Sequence, residues 1–259
     1  MSMGGLAGLM AGLLGIGGGA LIVPVLAIVF ESQHMDAGII MQAALATSLA
    51  TIVFTALSAS LAHHRRRAVN WTIVARITPG IILGGLLGAA VVDALSSYAL
   101  RVMFVIFMFA VALQFGFGRT AAAPHRRLPG TLIVTVVGAV IGVVSALFGI
   151  GGASMSVPFM TWCSVPVRQA IATSAAIGLP IALSTSIGLI IAGWADPRLP
   201  PWSLGYVVLP ALIGVVAAST LAAPLGVRLA HHLREATLRR IFALFVALFA
   251  VRMLWGLVA

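Results

Sequence analysis

Polar residues interrupt this chain at intervals that leave eight long apolar stretches, at 3–30, 37–62, 71–92, 98–117, 130–163, 167–194, 202–223 and 238–258. Each holds the roughly 20 residues that an α-helix needs to cross the hydrocarbon core of a bilayer. The pattern predicts an all-α polytopic membrane protein with its charge confined to short connections. Those connections carry His63-His64-Arg65-Arg66-Arg67, then Arg119 with His125-Arg126-Arg127, then a run from Arg228 to Arg240. The linker at 118–129, with Pro124 and Pro129, is the natural midpoint.

Residues 4–26 overlay 138–160 at an offset of 134 with nine identities in 23 positions. They are Gly4/Gly138, Gly8/Gly142, Leu13/Leu147, Gly15/Gly149, Ile16/Ile150, Gly17/Gly151, Gly18/Gly152, Val23/Val157 and Pro24/Pro158. In the same order, Ala46-Thr47-Ser48 matches Ala172-Thr173-Ser174, Trp71 matches Trp202, Pro79 matches Pro210 and Leu100-Arg101 matches Leu238-Arg239. An ordered series of this kind marks an internal duplication. It divides the chain into two transmembrane repeats of four segments each, 1–120 and 128–259.

Arginine placement bears on how the repeats sit, because basic loop residues stay on the cytoplasmic side. If all eight stretches cross, seven loop arginines fall inside (65, 66, 67, 119, 126, 127, 198) and six outside (101, 168, 228, 234, 239, 240). Suppose instead that the first stretch of each repeat is a re-entrant hairpin turning at Gly15-Ile16-Gly17-Gly18-Gly19 or Gly149-Ile150-Gly151-Gly152. Eleven then fall inside and two, Arg101 and Arg198, outside. The charge rule prefers this arrangement, in which each repeat crosses an odd number of times, the repeats are inverted and both termini lie outside.

A helix interior tolerates such glycine runs poorly, each Gly costing about 1 kcal/mol relative to Ala. The two runs predict helix breaks inside the membrane. Backbone freed in hydrocarbon is costly unless protein or water meets it, and a half-helix starting there presents N–H groups and the positive end of its dipole. Such an end binds an anion without a buried arginine. Gly15, Gly17, Gly18, Gly149, Gly151 and Gly152 are therefore candidate substrate-binding residues, whereas the spaced Gly4, Gly8 and Gly12 suit close helix packing. Thr47 and Ser48 with Gln42, and Thr173 and Ser174 with Gln169, add hydroxyls and amides near the start of the next helix. These either donate to an oxyanion or bond back to the preceding turn. Arg101 and Arg239 begin the last helix of each repeat, as snorkelling interfacial residues or as gating and anion-attracting groups. His63-His64 and His231-His232 read as loop residues and not as metal ligands.

Composition narrows the function classes. Of 259 residues 61% are apolar and 8% charged, with a mean hydropathy of +1.17, which excludes an ordinary soluble domain. The net charge of +10 comes from 15 basic residues, all arginine, against 5 acidic ones. Lying in connections, they speak for topology and anionic lipid rather than nucleic acid. Cys163 is the single cysteine, so no disulfide and no cysteine metal site is expected. The start, Met1-Ser2-Met3-Gly4, lacks the basic region of a cleavable signal. Glu31, Asp36, Asp93, Asp196 and Glu235 sit at or near stretch ends, which argues against ion coupling through a buried carboxylate. With no Walker loop, zinc-protease motif or Ser-His-acid set, neither an enzyme nor a cofactor is expected.

A Gly-Ile-Gly-Gly-Gly run followed by Val23-Pro24, a Gly-Ile-Gly-Gly-Ala run followed by Val157-Pro158, and an Ala-Thr-Ser after each resemble the TauE/SafE family of sulfite-exporter-type transporters. The likeness covers nearly the whole chain. It implies a bacterial inner-membrane protein that moves small sulfur-containing anions such as sulfite or organosulfonates, generally outward. Its motif selects Gly15, Gly17, Gly18, Gly149, Gly151, Gly152, Thr47, Ser48, Thr173 and Ser174. Ala153 stands where the first run has Gly19, so the half-sites differ. The expectation is alternating access about a midplane anion site, one repeat rocking on the other, with any proton carried on the substrate. A passive anion channel, a transporter of another small organic anion and a non-transporting scaffold are the rival readings. Small lipid-facing residues allow a homodimer.

Overall fold

The computed structural model describes residues 19–117, 129–219 and 235–258; Gly15, Gly17 and Gly18, like Gly4, Gly8, Gly12, His231 and His232, lie outside them. The described elements are α1 (Gly19–Ser32), α2 (Ile40–Arg65), α3 (Trp71–Ala94), α4 (Ser97–Phe117), α5 (Thr131–Phe148), α6 (Ala153–Trp162) and α7 (Val167–Ala192). A hairpin of β1 (Ser203–Leu204) and β2 (Val207–Val208) follows, then α8 (Leu209–Ser219) and α9 (Glu235–Val258).

The helices stop where the sequence supplies a reason. α2 ends on His63, His64 and Arg65, the arginine a cation set against the negative end of its dipole. The Asn70 side chain accepts from Ile73 N at 3.3 Å and caps α3. α5 ends at Gly149, with φ +60°, and α6 starts after Gly152, with φ +73°, backbone that a side chain disfavours. The 202–223 stretch does not begin as a helix. Gly205, at φ +55°, turns β1 onto β2 before α8 starts at Leu209. His63 and His64 are not loop residues either; they complete α2, and His64 Nδ1 accepts from Trp71 Nε1 at 3.2 Å.

Among the described residues five helices, α2, α3, α4, α5 and α7, are long and apolar enough to cross a bilayer. Leu83, Leu87, Ile106, Leu132, Ile187 and Ile191 point outward, an exposure that water penalises and hydrocarbon does not.

Contacts at the helix ends fix their directions. α2 starts beside the α3–α4 turn, where Met41 N donates to Ser97 Oγ (3.2 Å) and Gln42 Nε2 to Leu95 O (2.9 Å). α7 runs the other way: Thr173, near its start, meets Asn70 at the start of α3, and Leu189, near its end, accepts from Tyr206 N. The Tyr206 phenol reaches Asp93 at the end of α3. α5 starts on the face where α3 starts, Thr135 Oγ1 donating to Arg76 O at 3.0 Å, and α6 leads to the start of α7 through 163–166. α1 and α9 end together on the opposite face. There Arg101 pairs with Glu31 and donates to Gly256 O at 3.2 Å.

The closest seam joins α3 to α5. Gly80, Gly84 and Gly88 face Thr135, Ala139 and Val143, while Gly138 and Gly142 face Ile77, Ile81 and Gly85. A methyl group on Gly142 would lie 2.7 Å from Gly85 N, so small residues alone permit this approach. α7 packs on both α2 and α3, and α4 packs on α9.

Candidate functional site

The break between α5 and α6 lies deep in the bundle. A methyl group on Gly151 would sit 3.3 Å from Ile52 Cγ2, halfway along α2. One on Gly178, near the middle of α7, would sit 3.2 Å from the Gly151 carbonyl oxygen. From the first run, Gly19 approaches so closely that a methyl group there would collide with the Gly149 carbonyl oxygen. The ends of the two glycine runs meet.

Backbone groups at the break divide into satisfied and free. Ser145 O accepts from Gly149 N and, at 3.1 Å, from Ile150 N, which closes α5. Gly149 O accepts from Ser48 Oγ of α2 at 3.1 Å. Gly152 O accepts from Met155 N and Ser156 N at 3.1 and 2.9 Å. The N–H groups of Gly151, Gly152, Ala153 and Ser154 find no acceptor among the described residues. They are the orphan donors at the positive end of α6. The break is not sealed, since Gly151 is half-buried and Ser154 exposed.

The hydroxyl pairs named by the sequence surround this break, all four buried. Their bonds go to protein. Thr47 Oγ1 accepts from Val208 N at 3.1 Å, where α8 is about to start, and Thr173 Oγ1 accepts from Asn70 N at 3.0 Å, where α3 is about to start. Ser48 holds Gly149, and Ser174 Oγ shares a 2.6 Å hydrogen bond with Ser156 Oγ of α6. In this structure the four hydroxyls build the break and anchor the helices around it. Gln42 reaches Leu95 O through Nε2, leaving Oε1 buried without a partner among the described residues. Gln169 is half-buried in the first turn of α7. Arg101 ties α1, α4 and α9 together, and Arg239 lies in the second turn of α9.

Sequence reasoning passed over Ser145. Its side chain is fully buried, its Oγ has no partner among the described residues, and it lies 3.4 Å from where a Cβ of Gly152 would stand. The available signal was a single hydroxyl in the apolar run four residues before Gly149. Thr185 and Ser186 of α7 are likewise buried with unpartnered hydroxyls among the described residues.

A second polar cluster sits on the face where α7 ends. Arg198 binds both oxygens of Asp196 at 2.6 and 2.9 Å and holds that carboxyl below the usual carboxylate range. Burial, and then the Asp93 carboxylate 2.8 Å away, push the Tyr206 phenol above its usual range.

A profile of the family described as "Sulfite exporter TauE/SafE" matches residues 1–253. The chain belongs to the TauE/SafE family. Among its relatives, a "Probable membrane transporter protein" of Haemophilus influenzae is 33% identical over 97% of this chain and 95% of its own length. "Probable membrane transporter protein YunE" of Bacillus subtilis is 30% identical over 74% of this chain and 77% of its own. A third, "Probable membrane transporter protein MJ0441" of Methanocaldococcus jannaschii, is 28% identical over 92% and 87%. No solved structure matches the chain. This TauE/SafE protein is thus a multi-pass membrane protein of a transporter family, with five apolar helices able to span a bilayer among its described residues.

Proposed function

We propose that this TauE/SafE protein is a secondary transporter, acting as an exporter, of small sulfur-containing anions such as sulfite or organosulfonates in a bacterial inner membrane. It works by alternating access about the glycine break and performs no catalysis. The observation that carries the reading is the free amino terminus of α6, held at mid-height of α2 and α7 where the two glycine runs meet. Sulfite as the probe comes from the description of the family.

On this reading residues 1–120 and 128–259 are inverted repeats, each opening with a re-entrant segment. The opposite directions of α2 and α7 support it, as does the path of α5 and α6, which starts from and returns toward the face of Arg65, Arg66 and Arg67. No carboxylate among the described residues bonds to the break, so a coupled proton rides on the substrate, which sulfite can do near neutral pH.

The test is sulfite release from proteoliposomes of the purified protein, with and without an imposed pH gradient, against sulfate and chloride. Saturable, sulfite-selective release that responds to the gradient is expected. A non-saturating, ohmic flux identifies a channel instead, and no release above empty liposomes from folded protein ends the sulfite assignment.

A further inference from the structure

Everything the α6 amino terminus offers a ligand is neutral: the N–H groups of Gly151, Gly152, Ala153 and Ser154 and the exposed Ser154 hydroxyl. Ser145 is an independent sign that a ligand belongs here. A fully buried hydroxyl without a partner is a standing cost to the fold. This one stands beside Gly152, 3.4 Å from the position a Cβ would take, and so borders the free donors. Isoleucines 52, 141 and 181 close in on Gly151 and Gly152, a low-dielectric wall that strengthens each dipole. No arginine or histidine among the described residues hydrogen-bonds to the break.

We infer that Ser145 is a substrate ligand, donating its hydroxyl proton to an oxygen of the anion, and that the site selects a singly charged oxyanion over a dianion of the same shape. The inference rests on the transporter reading above. Attraction to fixed neutral dipoles grows in proportion to the ligand's charge, whereas the cost of taking the ligand out of water grows with the square of that charge. With no cation from the described residues at the site, a second charge loses more than it gains. A sulfonate or a protonated sulfite fits this balance, and sulfate does not.

Two tetrahedral anions separate charge from shape, because methanesulfonate is a monoanion and sulfate a dianion throughout the neutral range. In proteoliposomes of the full-length protein taking up radiolabelled sulfite, methanesulfonate competes at about a hundredfold lower concentration than sulfate. Ser145→Ala raises the KM for sulfite about five- to tenfold, as for the loss of one hydrogen bond, at near wild-type Vmax. Its thermal unfolding midpoint in detergent equals or exceeds that of wild type, since no hydrogen bond to a described residue is lost. Equal competition by the two anions overturns the inference, as does a wild-type KM for Ser145→Ala. Early unfolding of Ser145→Ala assigns the hydroxyl to the fold and overturns its ligand role. If wild type moves no sulfite, the transporter reading itself fails, an outcome separate from a transporting protein that is blind to Ser145.

Discussion

Thr47 and Thr173 do the same work in two helices of opposite direction, each accepting from a backbone N–H just where another helix begins. Valine keeps the shape and removes the acceptor, which leaves that N–H unpaired at a cost of about 1–3 kcal/mol. Thr47→Val and Thr173→Val therefore lower the unfolding midpoint in detergent, while the KM for sulfite in the surviving protein stays at its wild-type value. A raised KM with unchanged stability would return these hydroxyls to the substrate. The recurrence of Ala-Thr-Ser in the sequence shows that the pair matters. It cannot show which way the hydroxyl points, because the partners lie 103 and 161 residues away. Tyr206 is a second case. Its raised phenol means that the fold favours the neutral form, so this group stabilises below the usual tyrosine value of about 10 and that contribution is lost as pH rises through the folded value. With two tyrosines in the chain, Tyr98→Phe leaves Tyr206 alone. Near-ultraviolet absorbance of that variant titrates above free tyrosine, and Asp93→Asn brings the midpoint down. An ordinary midpoint in Tyr98→Phe refutes the burial and carboxylate account.

At the scale of elements, the break between α5 and α6 is legible because glycine runs cannot continue a helix and these glycines recur 134 residues apart. A leucine at Gly151 would press on Ile52 and fill the space before the free N–H groups. The Gly17→Leu/Gly151→Leu protein is expected to remain folded and monodisperse yet pass no sulfite, and wild-type flux would remove the break from the account. The apolar stretches were legible for a similar reason, since a run of about 20 apolar residues has few places to go other than a bilayer. The hairpin at 203–208 was not. Its apolar residues read as the start of the 202–223 stretch, and only the positive φ of Gly205 and the packing of Tyr206 beneath Gly193 turn the chain back.

For the whole molecule, the proposed inverted arrangement puts Arg65, Arg66 and Arg67 on the cytoplasmic face and the α3–α4 turn outside. Ser96 and Arg67 are exposed at the two ends of α3. In a Cys163→Ser background, a membrane-impermeant thiol reagent applied to intact cells labels Ser96→Cys and leaves Arg67→Cys unreacted; the opposite pattern would invert the topology. The sequence also suggested that residues 1–120 rock as a body on 128–259. The α3–α5 seam bears on this, because it joins those two parts through Gly80, Gly84 and Gly88 on one side and Gly138 and Gly142 on the other. Backbone pressed on backbone acts as a weld. It has no side chains to swing and no slack to slide, since a small displacement drives a carbonyl into a neighbouring Cα. A rocking of one repeat on the other would have to part this seam first. α4 and α9 pack chiefly on each other, while α7 ties α2 to the welded α3–α5 pair.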